Sequence, residues 1–258
     1  MSVWTQLYED LPEVAQRSLW QDIYGKFYQA WFESDRWITY FRGLGTTLQV
    51  TVMALIIGVI LGVLVAVVRT AHDQRRPGQG SLPARLLLNV VNFICKLYVT
   101  VIRGTPMMVQ LMIMGFVIFK SSRNFTLVGA LSLGINSGAY VAEIIRGGLM
   151  SLDPGQSEAG RSLGLGYLDT MRFIIIPQAF KAILPSLGNE FIVLLKDTSL
   201  ISVIAGKEIV YFARAIITKT YEPMFPYLIT AAMYLILVLI FSWLQGKLER
   251  RLRQSDRR

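Results

Sequence analysis

The run Gly43–Val68 carries no charged side chain. About 20 apolar residues suffice to carry a helix across the ~30 Å hydrocarbon core of a bilayer. In that medium a helix satisfies its own backbone polar groups, so the run predicts a membrane-spanning helix. Pro223–Gly246 and Asn124–Ala142 are two further uncharged runs of spanning length. Gly58 and Gly62 stand four residues apart in the first. That spacing suits close helix approach, though two glycines placed by chance in an apolar helix account for it equally well.

Two more apolar stretches are irregular. Leu86–Phe119 contains Lys96 and the sequence Arg103-Gly104-Thr105-Pro106. Proline lacks a donor and turns the preceding residue away from the α conformation. A helical segment is expected before this break and a membrane crossing after it, with Lys96 snorkelling to the interface. The fifth stretch, about Ala179–Ala205, carries Glu190, Lys196 and Asp197. The expected fold is therefore an all-α integral membrane protein of about five transmembrane helices.

Composition agrees. Hydrophobic residues make up 53% of the 258-residue chain and charged residues only 17%, against roughly 25% in soluble domains. The net charge of +9 reads as a positive cytoplasmic rim and not as a nucleic-acid footprint. The loop Arg69–Arg85 and the tail from Lys247 are rich in arginine and lysine, so both are expected in the cytoplasm. An even number of crossings separates them, which puts the N-terminus outside. Lys120 and Arg123 fall on the outer side, mildly against the rule.

Residues 1–42 form an extracytoplasmic extension with six acids and four bases. No apolar core with a small-residue cleavage site precedes residue 43, so no signal peptide is expected. Trp20, Ile23, Tyr24, Phe27 and Trp31 make an aromatic-rich helical stripe. It suits a membrane interface or packing against the body of the protein. The transmembrane domain is expected over 43–248 and a basic tail over 249–258.

Catalytic chemistry finds little support. The chain has one cysteine, Cys95, and one histidine, His72, so neither a disulfide nor a histidine metal site is expected, and no cofactor is called for. No phosphate-binding G-x4-G-K-[ST] loop occurs, so any ATP must be hydrolysed on another polypeptide.

Between the third and fourth spans lies Ser157–Phe180, glycine-rich at its start and apolar at its end. Asp153, Pro154 and Gln156 offer a capping box with proline in the first turn, and Gly164 suits a left-handed stop. A short helix over about 154–164 is expected. Its small residues allow a partner backbone to approach; a plain connecting loop is the alternative.

Glu158-Ala159-Gly160, then Gly164, then Ile174-Ile175-Ile176-Pro177 resembles the EAA motif of ABC-transporter permeases, with Gly160 in place of an alanine and Ile176 in place of a leucine. Arg103-Gly104-Thr105-Pro106, Ala139-Tyr140-Val141-Ala142-Glu143 and Lys196-Asp197-Thr198-Ser199-Leu200 resemble the polar amino-acid importer branch, with its histidine, glutamine and arginine permeases. The resemblance covers roughly Leu44–Leu248. It implies a MetI-like permease with a cytoplasmic coupling helix, in which Glu158, Ala159, Gly160, Gly164 and Pro177 serve coupling. It also implies an ABC ATPase dimer inside, a solute-binding protein outside and a second permease subunit, the same or a paralogue, in a bacterial inner membrane.

Charges within a bilayer cost several kcal/mol unless paired or hydrated. Glu190 and Asp197 share a helix face with Asn189, Thr198 and Ser199 nearby. They line a solute pathway or lock helices together. Asn136, Tyr140 and Glu143 form a second polar stripe, open to the same two readings. An ion-driven carrier or channel without an ATPase is the alternative function. The sequence does not name the amino acid.

Overall fold

The computed structural model describes residues 3–75 and 81–255. Arg76 of the basic loop and the tail residues Asp256, Arg257 and Arg258 lie outside them. The elements are α1 (Val3–Glu9), α2 (Leu19–Trp31), α3 (Arg36–Asp73), α4 (Leu82–Gly104), α5 (Met107–Met112), α6 (Phe125–Met150), α7 (Gly155–Ser162), α8 (Tyr167–Thr170), α9 (Ile176–Asp197), α10 (Ile209–Thr220) and α11 (Met224–Ser255). No strand occurs among the described residues. α5 and α8 each run on into a wider π-turn, Ile113–Ile118 and Met171–Ile175, and α9 tightens into a 3₁₀ turn over Thr198–Ile204.

Among the described residues, four helices are long and apolar enough to cross a membrane: α3, α4, α6 and α11. α9 has the length, 22 residues or ~33 Å, but Lys181, Glu190, Lys196 and Asp197 dilute its apolar character. About five crossings therefore stand. One expectation is corrected. The span around the proline break lies before it, in the 23 residues of α4; the apolar piece after it, Met107–Ile118, rises only ~18 Å and cannot cross alone.

α3 and α6 form the central pair. A Cβ at Gly58 would lie 2.8 Å from Ser137 Oγ, and one at Gly62 would lie 2.7 Å from Val141 Cβ. The glycine spacing therefore serves close approach to α6, and coincidence is the weaker account. Around this pair, Val50, Ala54, Leu111, Leu133, Leu194 and Ile201 build the largest core. The outer faces of α4 and α11 are the reverse of a soluble surface, with Leu87 and Phe93 each 66% exposed and Leu239 60%.

At one end of the bundle, Glu208 caps α10 by accepting from Val210 N and Tyr211 N, both at 2.8 Å. Tyr234 of α11 donates to the same carboxylate at 2.8 Å. α2 begins with a capping box between Ser18 and Gln21. Its aromatic stripe divides: Phe27 meets Phe225 at 5.7 Å and Trp31 meets Tyr40 at 5.6 Å, while Trp20 stays exposed. Packing against the body thus takes the C-terminal half of the stripe.

The opposite end gathers the basic segments. Arg146 of α6 reaches Asp73 at the end of α3, at 3.4 Å. Tyr167 of α8 donates to Gln74 at 2.6 Å, and Gln245 of α11 donates to Pro185 O at 3.2 Å.

Candidate functional site

The break after α4 organises the first polar cluster. Thr105 is extended (φ −121°, ψ 147°), as a residue before proline should be, and Pro106 opens α5. The break strips acceptors of their helical donors. Gln110 answers them: its Nε2 donates to Ile102 O at 2.8 Å and to the Thr105 hydroxyl at 2.8 Å. Its Oε1 accepts from Asn136 Nδ2 of α6 at 3.0 Å. One side chain therefore bridges the break and fixes it to the neighbouring helix.

The α6 stripe continues from there. The Arg103 guanidinium sits 5.4 Å from the centre of the Tyr140 ring and 3.6 Å from Glu143 Oε2. Arg69 of α3 pairs with the other carboxylate oxygen of Glu143. Glu143 thus joins α3, α4 and α6 in one ion network. The cluster remains partly open, with the Arg103 side chain 43% and Tyr140 38% exposed. A cation, a carboxylate, a phenol and carboxamides stand in one row. Such a row offers both charges that a zwitterion needs.

The α9 residues lie elsewhere. Glu190 is buried and accepts from Ser137 Oγ at 2.7 Å. Because Ser137 also seats Gly58, this bond ties α9 to the α3–α6 pair. The Thr198 and Ser199 hydroxyls turn back on their own helix, to Leu195 O at 2.7 Å and Lys196 O at 2.8 Å. Thr198 also meets Tyr234 Oη at 3.2 Å. Asn189 and Lys196 are exposed, and Asp197 is partly buried. The expected pathway residues thus divide: Asn136, Tyr140 and Glu143 come together with Arg103 and Gln110, while the α9 set packs apart from them.

α7 forms where expected and stops as expected, with Gly164 at φ +79°. The expected capping box is absent. Pro154 takes the cap position, Asp153 Oδ1 accepts from Gly155 N at 2.8 Å, and Gln156 instead accepts from Gln178 Nε2 at 3.1 Å. Glu158 and Ala159 face outward, whereas Gly160 is buried. A Cβ at Gly160 would come within 2.7 Å of Thr170 Cγ2. The departure from alanine at this position therefore has a local cause: Thr170 fills the space. Pro177 starts α9 in its first turn, exposed.

Sequence reasoning missed Arg69, Gln110 and the bonding role of Arg103. Arg69 reads as one more rim charge, and Gln110 carries no charge to draw notice. The available signal was the break itself, since freed carbonyls beside Pro106 demand a donor.

The family model described as "Binding-protein-dependent transport system inner membrane component" matches residues 79–254. The glutamine transport system permease protein of Escherichia coli (strain K12) is 36% identical over 168 residues, covering 64% of this chain and 77% of the relative. The arginine transport system permease protein of Bacillus subtilis (strain 168) is 37% identical over 188 residues, covering 66% and 85%. A crystal structure of an amino acid ABC transporter with histidines matches with TM-score 0.72 at 41% identity, over 83% of this chain and 94% of the other. Inward-facing MetNI methionine ABC transporter structures share the fold at 17% identity, with TM-score 0.68 over 86% and 99%.

Proposed function

Because this chain belongs to the family of binding-protein-dependent transport system inner membrane components, we propose a specific site and a specific lever for its transport step. It is the membrane permease subunit of an amino-acid ABC importer. It is not itself a catalyst; ATP is hydrolysed on a separate subunit.

The solute is a polar amino acid, and it binds at the break of α4. Its carboxylate takes Arg103 and its α-ammonium takes Glu143, with Asn136 and Tyr140 completing the lining. The observation that carries this is the partly open Arg103–Glu143 pair at 3.6 Å, beside Tyr140. A zwitterion exchanges that pair for two charge-assisted contacts of its own. Glu190 through Ser137, and Thr198 through Tyr234, hold α9 to its neighbours and transmit its movement. Glutamine and arginine carriers among the relatives favour a polar side chain over an apolar one.

α7 is the coupling helix. It presents Glu158 and Ala159 to the ATPase and rests through Gly160 on Thr170, so pressure on it passes into α9 through Pro177. The basic segments share the α7 end, which supports a cytoplasmic assignment for that end and an outer one for α2 and α10. A binding protein then delivers solute at the α10 end, and a second permease subunit completes the pore. The test is uptake of labelled glutamine and arginine into vesicles carrying the full importer. Glu143→Gln should abolish most uptake while the importer still assembles. Full uptake by that variant would remove the site from the account.

A further inference from the structure

Two clefts meet at the α7 end. One, of about 430 Å³, lies between α3, α6 and α9, with walls that include Val67, Leu149, Phe180 and Ile183. The other, of about 740 Å³, lies beside α7 and α8 and is lined in part by Gln74, Arg75, Ser157 and Arg161. No acidic residue is among its described lining residues. Ala71, Tyr167 and Met171 line both, so the apolar cleft and the basic one adjoin across the Tyr167 ring. Its hydroxyl donates to Gln74 at 2.6 Å.

The carboxylates nearest these groups, Asp73, Asp153 and Glu158, line the adjoining cleft that shares Arg161, not this one. Among the described residues Arg161 makes no ion pair, and Arg75 is held by the Asn89 carboxamide at 3.4 Å. Val67, which lines the apolar cleft, is 61% exposed on the outer side of α3. Ala71 follows it on the same face one turn later, and Arg75 lies one turn further, just past the helix end. The chain therefore passes from hydrocarbon to guanidinium over a short distance, as a phospholipid does from acyl chain to phosphate.

We propose that the paired clefts bind one anionic phospholipid, with an acyl chain in the apolar cleft and the phosphate between Arg75 and Arg161. Guanidinium forks match phosphate oxygens, and basic pockets between spanning helices suit anionic headgroups. Such a lipid touches α3 through Ala71 and α7 through Arg161, so it ties the lever's resting position to the charge of the surrounding leaflet. The site is independent of which solute is carried and of whether the lever is driven by ATP.

The test uses the full-length chain in phosphatidylcholine nanodiscs doped with a photoactivatable phosphatidylglycerol, without ATPase or solute. Labelling is expected on peptides spanning 63–75 and 161–183. Arg75→Ala with Arg161→Ala should weaken retention roughly thirtyfold, from about 1 kcal/mol per arginine at 1.4 kcal/mol per decade. Ala71→Phe, which leaves both arginines in place, should weaken it as well. The charge-matched pair Lys120→Ala with Arg123→Ala should label like wild type. Equal labelling by a phosphatidylcholine probe would overturn the proposal, as would unchanged labelling in both the arginine pair and Ala71→Phe.

Discussion

Arg103 and Glu143 lie 3.6 Å apart on two different helices, at the level where α4 breaks. Arg69 approaches the same carboxylate from a third helix. Neither arginine gains its partner through sequence proximity; the packing of α3 and α4 on α6 brings all three together. A carboxylate shared by two guanidinia can release one of them to an incoming carboxylate and still stay paired. That property suits a site that must hold, then surrender, a zwitterion.

Arg103→Lys keeps the charge but loses the planar fork and the stacking on Tyr140. Solute affinity should fall about tenfold, near 1.4 kcal/mol, with little change in the amount of folded protein. Equilibrium binding of labelled solute to the purified importer reads this directly. Unchanged affinity would place the solute elsewhere.

Gly58→Leu should destabilise the bundle. Its side chain must enter the space of Ser137, and overpacking of this kind costs about 1–3 kcal/mol. It also disturbs the Ser137–Glu190 bond, so loss of thermal stability in detergent should come with loss of transport. The isolated Ser137→Ala change should affect transport with a smaller drop in melting temperature.

Gly160→Ala raises intrinsic helix propensity by as much as about 1 kcal/mol, yet the added methyl meets Thr170. The clash should dominate and lower the melting temperature. Thr170→Ala in the same chain removes the obstructing atoms, and the double variant should recover most of the loss. A double-mutant cycle on thermal unfolding measures the coupling; strict additivity would mean that Gly160 does not rest on Thr170.

Much of the fold was legible because long uncharged runs have few other structures open to them. Gly43–Val68 became the middle of α3, and Gly164 adopted the left-handed stop that its residue type allows. The crossing at Leu86–Phe119 was misplaced because apolar length is nearly continuous on both sides of Pro106, and only the resulting helices show where it accumulates. The site was half legible. Asn136, Tyr140 and Glu143 share a stripe by helical spacing alone, whereas Glu190 meets Ser137 across 53 residues of chain. No local pattern encodes that contact, nor the reach of Arg69 to Glu143. The capping box before α7 failed for a nearer reason: Gln156 finds Gln178 instead.

The proposed lever is the centre of the account, and Glu158 is exposed on that helix. The most direct measurement is ATP hydrolysis by the assembled importer in lipid, with and without solute-loaded binding protein, comparing wild type with Glu158→Lys. The account predicts that the variant assembles in the membrane, that its ATPase no longer responds to solute, and that uptake stops. Solute-stimulated hydrolysis and uptake at wild-type levels in Glu158→Lys would contradict it.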